Sequence, residues 1–423
     1  MRPHILMLIA MAAILAAGCM EGADRAEALL PAATDANPSP FVHADGVFIR
    51  DGQGRPIRLR GVNLGGWFLW EGWMWGGVFQ TETDMMRRLA EALGPEEAES
   101  FRTEIHRRMI AEADIARIAQ MGFNVVRLPL THWMLDDTSG RSEYPKAGWD
   151  LLDRVLGWCE KYGVYAVLDL HSAPGGQSFW FICDPDPGHE IWTDPANAQR
   201  TVDLWQAIAR RYKDRRIVAA YDLLNEPLPP SGKALVAFYR RLIAAVRAVD
   251  PDHMIMLEGG LFGVDFSMFP GPLAPNTIYS FHMYNWVVDD RRLQLAGVRR
   301  LALRHQMPLW CGEFGESSYD MIRTTVALYE DPRRLVSGWC YWPWKRVPNR
   351  APGLESIHPS KKWLALVDWV SGRSFSRRPT RQEAAAAASE FLMAVDIEWN
   401  TEDAEMVEIL TSPGRAEAAA TGR

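Results

Sequence analysis

Cysteine is scarce in this chain, at five in 423 residues. Cys159, Cys183, Cys311 and Cys340 are widely separated and form no Cys-x-x-Cys pair, which argues against a zinc site. A chain of this length has core enough to fold unstapled, so no required disulfide is expected. Long apolar runs are missing too: the stretch Ile5–Ala17 is too short to span a bilayer. There is no surplus of positive charge, with 46 Lys and Arg against 53 Asp and Glu and a net charge of −7, and so no electrostatic reason to bind nucleic acid. Gly61–Gly66 lacks the Gly-x-Gly-x-x-Gly spacing, which weakens a dinucleotide-binding reading. No His-x-His pair and no clustered carboxylates stand out, which leaves a metal-dependent hydrolase the weakest of the enzyme readings.

What the chain does have is tryptophan, 18 of them. Each combines a large flat face with one N–H donor, a surface suited to stacking on rings or sugars, although many such residues serve simply as core. The N-terminus has the form of an export signal: Arg2, the apolar run Ile5–Ala17, then Gly18-Cys19. Leu15-Ala16-Ala17-Gly18-Cys19 resembles a bacterial lipobox with Ala16 where Leu is usual. The expectation is removal of residues 1–18, lipidation of Cys19, a flexible tether over 19–40, and a periplasmic or cell-envelope lipoprotein touching the membrane only through that anchor.

Beyond the tether, Val47–Arg50 and Ile57–Leu59 flank the turn Asp51-Gly52-Gln53-Gly54, which predicts a hairpin closing one end of the fold. An apolar run followed by an amphipathic helix then recurs. Eight strands are expected: Arg60–Leu64, Asn124–Leu128, Val164–Leu170, Val218–Asn225, Met254–Glu258, Ile278–His282, Leu309–Glu313 and Gly338–Trp342. Helical patterns lie between them at Glu112–Met121, Trp149–Tyr162, Asp203–Tyr212, Ala234–Val249 and Arg291–His305, and a last one at Arg381–Val395. Two or three domains would also suit the length, but this alternation predicts one α/β domain over 41–398, a single (β/α)8 TIM barrel with Trp-rich strand-end loops. Residues 399–423 are polar and Ala-rich, and a loose tail is expected there.

In such a barrel the C-terminal strand ends converge. Read in order they offer Arg127, His171, Asn225 and Glu226, His282 with Tyr284, Glu313, and Trp342. One such Arg or His is more often structural; eight polar or aromatic residues over six strand ends make a site. Glu226 follows Asn225 and precedes Pro227, which stops the strand. Glu226 and Glu313, on the fourth and seventh strands, can face each other across the mouth and split acid and base roles, because like charges raise each other's pKa. Of the neighbouring acids, Glu316 falls in loop sequence and Glu258 ends the fifth strand beside Gly259-Gly260.

Gly61-Val62-Asn63-Leu64-Gly65-Gly66-Trp67, Asn124–Pro129 (NVVRLP), His171–Gln177 (HSAPGGQ), Leu224–Pro227 (LNEP), His282-Met283-Tyr284 and Gly312–Gly315 (GEFG) together resemble the family 5 glycoside hydrolases, over about residues 44–370. Gly65-Gly66-Trp67 and Pro174–Gln177 are most similar to the exo-β-1,3-glucanase branch. The chain departs from that branch after Gln177, with Ser178-Phe179-Trp180 and an acidic, Pro-rich insert through Cys183–Glu190. The resemblance implies a retaining β-glycosidase of β-1,3-glucanase or β-glucosidase type, with Glu226 as acid/base and Glu313 as nucleophile. It also implies Asn225 on the sugar 2-hydroxyl, Tyr284 and Arg127 on the nucleophile, His171 and His282 lining the reacting subsite, and Trp342 as its floor. Trp67, Trp180 and Trp344 are further candidates for sugar stacking, among a larger set with Trp70, Trp73, Trp75, Trp133, Trp192 and Trp286. The expected partner is a β-linked oligo- or polysaccharide, no metal or other cofactor is expected, and the protein is expected to be a monomer. The alternatives are a transglycosylase remodelling β-glucans and a non-catalytic glycan-binding lipoprotein.

Overall fold

The computed structural model describes residues 39–136, 145–284, 291–315, 318–348 and 353–412. The segments expected as signal and, for the most part, tether, with Cys19, Trp286 and Glu316, lie outside them. Two short strands, β1 (His43–Asp45) and β2 (Phe48–Arg50), come first. Eight parallel strands follow: β3 (Leu59–Asn63), β4 (Val125–Thr131), β5 (Tyr165–Ser172), β6 (Val218–Asp222), β7 (Met254–Glu258), β8 (Thr277–Met283), β9 (Leu309–Phe314) and β10 (Val336–Tyr341). These eight close into a barrel in the order β10-β3-β4-β5-β6-β7-β8-β9. Each overlaps the strand expected at its place. The strands are apolar on both faces because helices cover the outside while their own side chains fill the inside. β10 must bend to close the ring. Gly338, at φ +132°, makes this possible: a Cβ there would lie 2.0 Å from the Leu59 carbonyl oxygen.

The helices sit where their periodic faces and caps dictate. Pro195–Tyr212 turns Ala198, Thr201, Trp205, Ile208 and Tyr212 inward. It starts eight residues before the expected Asp203, because Asp194 caps it and Pro195 suits its first turn. Gly232–Arg247 is capped by Ser231, and Arg381–Ala394 by a Thr380/Glu383 capping box. Two further helices, Glu82–Leu93 and Pro95–Arg108, are inserted between β3 and β4.

The hairpin differs in register from the expectation. β1 pairs with β2, and the Asp51–Gly54 turn is closed by an Arg50–Pro56 bridge. Leu59 is taken instead by the barrel, where it pairs with Gly338. Val42 and Ile49 of this segment pack on Leu59, Val125, Val167, Met254, Ile278 and Trp310, residues at or near the strand starts, so the hairpin plugs the N-terminal end of the barrel.

The tail is the larger correction. Thr401–Glu402 adds an antiparallel strand to Glu355–Ser356, which itself pairs with Lys345–Arg346. The helix Ala404–Thr411 then buries Met406, Ile409 and Leu410, an i, i+3, i+4 face inside a sequence that looks polar overall. The folded domain therefore runs to residue 412 among the described residues. Beneath it lies a fully buried ion pair, Lys345 Nζ to Asp114 Oδ1 at 2.6 Å. The same ammonium donates to the carbonyls of Met109 and Val395. Lys345→Met would leave Asp114 buried without its counter-charge, and a loss of about 3–5 kcal/mol is expected in denaturant unfolding; a change within about 0.5 kcal/mol would show that the pair is dispensable.

Candidate active site

At the C-terminal mouth of the barrel one side chain organises the rest. Arg127 on β4 has no exposed surface. Its Nε donates to Asp222 Oδ2 at 3.0 Å, Nη1 to Asn63 Oδ1 at 3.2 Å and Glu313 Oε1 at 2.6 Å, and Nη2 to Asn225 Oδ1 and Glu258 Oε1, both at 3.0 Å. Asp169 Oδ1 lies 3.1 Å from Nη2. Four acids on one cation is an excess of negative charge, and burial relieves part of it: burial pushes Asp222 well above the usual carboxylate range, Glu258 and Asp169 push it further, and Arg127 opposes. A proton on Asp222 also suits its Oδ1, which accepts no hydrogen bond among the described residues.

The sequence suggested no clustered carboxylates at the strand ends, and the fold makes one: single oxygens of Asp169, Asp222 and Glu258 lie within 4.8 Å of one another. The cation they surround is the Arg127 guanidinium. Asp169 interrupts the apolar stretch of β5, and Asp222 and Glu258 are the last residues of β6 and β7. A charge in a strand covered on both faces was the signal available.

Glu226 and Glu313 come together as expected. One oxygen of each, with a nitrogen of His282, falls within 4.8 Å of the others. Their surroundings differ sharply. Glu313, at the end of β9, is buried, which raises its pKa, but His282, Arg127, His171 and a hydrogen bond from Tyr284 outweigh that and hold it below the usual value. The Tyr284 hydroxyl donates to Oε2 at 2.8 Å. Glu226 is raised: burial dominates, His282 opposes, and the charges of Glu313 and Glu258 add to the rise. The pocket therefore holds one ionised carboxylate and one that keeps its proton to higher pH.

The chain beyond β6 turns sharply at Glu226, whose φ of +45° is left-handed and costs about 1–3 kcal/mol in a residue with a side chain. Its N–H donates to Glu258 Oε2 at 2.7 Å. His282 Nδ1 lies 2.8 Å from Glu226 Oε1 and Nε2 lies 3.1 Å from Glu258 Oε1. Burial alone would lower the His282 pKa, but Glu258, Glu313 and Glu226 raise it well above the ordinary value, so the ring carries both protons.

Asn225 and His171 are locked to this frame. The Asn225 oxygen is taken by Arg127, so its amide nitrogen faces His171 Nε2 at 3.2 Å. His171 Nδ1 meets Asp169 Oδ2 at 2.7 Å. Burial lowers the His171 pKa, but the charge of Asp169 and the hydrogen bond to it outweigh that and raise it above the ordinary value. Gln177, outside the expected site, pins two strand ends by donating to the carbonyls of His171 at 2.7 Å and Asn225 at 2.8 Å.

Trp342 lies parallel to the His171 ring at 5.3 Å and 8°. It fits there because Gly65 has no side chain; a Cβ would lie 2.8 Å from the indole. Trp180 is half-buried in the loop after β5, edge-on to Phe262 at 5.2 Å. Trp67 and Trp344 are corrections. Both are fully buried, their N–H groups donating to the His106 carbonyl and to Asp114 Oδ1, so neither offers a face to a sugar. Trp70, Trp75 and Trp133 are core as well.

One carboxylate was missed altogether. Glu71, in the loop after β3, accepts from Trp73 Nε1 at 2.7 Å. Burial pushes it up to about 7 against the pull of His171 and Trp73, and the charges of Glu313 and Glu226 raise it further. It was the single acid in the aromatic run Trp67–Trp75, and that was its only mark in the sequence.

Residues 51–347 match the family model for cellulase, glycosyl hydrolase family 5. A β-xylosidase of Phanerodontia chrysosporium is 31% identical over 339 residues, covering 71% of this chain and 70% of the relative. A probable glucan 1,3-β-glucosidase A of Aspergillus niger is 30% identical over 386 residues, covering 77% and 89%. The exo-β-1,3-glucanase branch suggested by the motifs fits such relatives. The rutinosidase of Aspergillus niger, a solved structure, shares the fold at a TM-score of 0.56 and 18% identity, over 70% of this chain and 92% of that one. The chain belongs to glycosyl hydrolase family 5 and is an enzyme that hydrolyses β-glycosidic bonds.

Proposed function

We propose that the protein is a retaining β-glycosidase acting on β-linked glucosides or glucans, with Glu313 as nucleophile and Glu226 as acid/base. The observation that carries this is the opposed electrostatics of two carboxylates whose oxygens approach within 4.8 Å. Carboxyl groups about 5–5.5 Å apart allow direct attack on the anomeric carbon, whereas inversion needs about 6.5–9.5 Å to admit a water.

Glu313, ionised and aimed by Arg127 and Tyr284, attacks the anomeric carbon while the Glu226 proton passes to the departing oxygen. Glu226 then takes a proton from the water that displaces Glu313. The Asn225 amide nitrogen, 3.2 Å from His171 Nε2, supplies a donor at this end of the pocket, and a donor on the sugar 2-hydroxyl strengthens as charge builds at the ring. Trp342, 7% exposed, supplies a flat face beneath the sugar. The leaving group lies on the Glu226 side, between the loops after β5 and β7. Those loops bring Trp180 and Phe262 edge to face, with Phe179 69% exposed beside them. Both glutamates in working surroundings speak against a glycan-binding protein without catalysis.

Glu313→Gln is expected to abolish turnover of aryl β-glucosides, and Glu226→Gln to lower it by about 10²–10⁴-fold on substrates with poor leaving groups, both with near-native unfolding curves. Wild-type turnover in either variant would sink the assignment.

The pH profile follows from the two shifts. Glu313 must be ionised, and its pKa lies below the usual value, so activity falls only as pH drops through that lowered pKa. Glu226 must be protonated, and its pKa is raised, so activity is lost as pH climbs through it. A bell in kcat/KM is expected, and a profile without a basic limb would contradict the acid role.

Among the tryptophans, Trp180→Ala should change kcat or KM with little effect on Tm, while Trp67→Ala and Trp344→Ala should cost about 3–5 kcal/mol of stability. The reverse pattern would restore Trp67 and Trp344 as sugar platforms.

A further inference from the structure

Glu258 ends β7, on the strand next to that of Glu226, and its carboxylate is fully buried. Its place is built with care. The Tyr239 hydroxyl accepts from the Glu258 N–H at 3.2 Å and donates to its carbonyl at 3.0 Å. Gly263 closes over it, since a Cβ there would lie 3.1 Å from Glu258 Oε2 and 3.3 Å from the His282 ring. The two carboxylate oxygens meet different partners. Oε2 accepts from the Glu226 N–H, and Oε1 faces Arg127 and His282.

We propose that Glu258 is the positioning residue for the general acid, holding the Glu226 backbone in its left-handed turn and holding His282 as a donor to the Glu226 carboxyl. This rests on the reading of Glu226 as acid/base. With a carboxylate beside Nε2, the His282 ring carries protons on both nitrogens, and the Nδ1–H donates to Glu226 Oε1. The acid proton then sits on Oε2, free for the glycosidic oxygen. In the first step the Glu226 O–H bond breaks, its proton goes to the departing oxygen, and the electron pair of the cleaved C–O bond stays on that oxygen. Glu226 is left an anion facing the imidazolium.

Glu258 also touches Arg127, which aims the nucleophile, so its removal could act by either route. Arg127 would keep Asp222, Asp169, Asn63, Asn225 and Glu313 if Glu258 were changed. The Glu226 N–H has Glu258 as its acceptor, and a left-handed residue that loses its tether relaxes by rotating the side chain it carries. The acid is therefore the more exposed of the two. The other charged groups around Glu226 are Glu313 on β9, His282 on β8 and, acting through its charge, Glu71 in the loop after β3.

A leaving group that departs unaided does not need the acid, which gives a readout that general loss of structure does not move. Glu258→Gln is compared with the wild type on dinitrophenyl β-glucoside and on an alkyl β-glucoside. The expected result is a fall in kcat/KM of about 10²-fold or more on the alkyl substrate, with a fall under about 10-fold on the dinitrophenyl one. Equal losses on both substrates, or no loss on either, would overturn the proposal. Glu258→Asp keeps the charge but shortens the reach to the Glu226 amide, and should give the same pattern if Glu258→Gln fails to fold. Glu226→Gln runs alongside: if it loses equally on both substrates, the acid reading fails and the positioning role falls with it, whereas selective loss in Glu226→Gln alone rejects Glu258 only.

Discussion

The structure depends on a guanidinium buried at the centre of a barrel. Taking one charge out of water costs several kcal/mol even after relaxation, and the geometry must return that through close, well-directed partners. Arg127 reaches Asp169 on β5, Asp222 on β6, Glu258 on β7 and Glu313 on β9, and Asn63 on β3 as well. One side chain from β4 thereby ties the C-terminal ends of five other strands. The same contacts that stabilise the cation also fix where Glu313 and, through Glu258, the Glu226 backbone stand, so the scaffold and the candidate site share one electrostatic frame.

Within that frame, chemistry comes from asymmetry. Glu226 and Glu313 are the same residue type, and both are buried, which raises each of them. Glu313 has direct donors in Arg127 and Tyr284; Glu226 has His282 but sits against the charges of Glu313 and Glu258. Desolvation acts alike on the two, so the neighbours decide which one keeps its proton. Glu71 adds a third carboxylate with a pKa of about 7 to the same pocket. Its charge links the loop after β3 to the titration of the pair.

The aromatic residues show how far a pattern carries. Trp67, Trp342 and Trp344 all lie at strand ends, and their spacing treats them alike. Trp342 fits beside His171 because Gly65 leaves room for its indole edge, while Trp67 and Trp344 point into the shell between barrel and helices and spend their N–H groups on the His106 carbonyl and Asp114. An indole suits a sugar and a core equally well, and which it serves depends on packing from segments distant in sequence. The tail errs in the other direction. Met406, Ile409 and Leu410 were diluted by Glu405 and Glu408, and only a docking surface turns such a short apolar stripe into a folded helix.

The sequence by itself determined the barrel, the order of its strands and the positions of Glu226 and Glu313, because apolar strand runs, helical periodicity and polar strand ends are local and cumulative. Only the tertiary structure decided which acids share Arg127, which glutamate is held ionised, and that Glu258 grips the backbone of Glu226. Those are sums of charge and desolvation over side chains from many strands. A linear pattern carries no distances across a closed ring, and electrostatics is made of such distances.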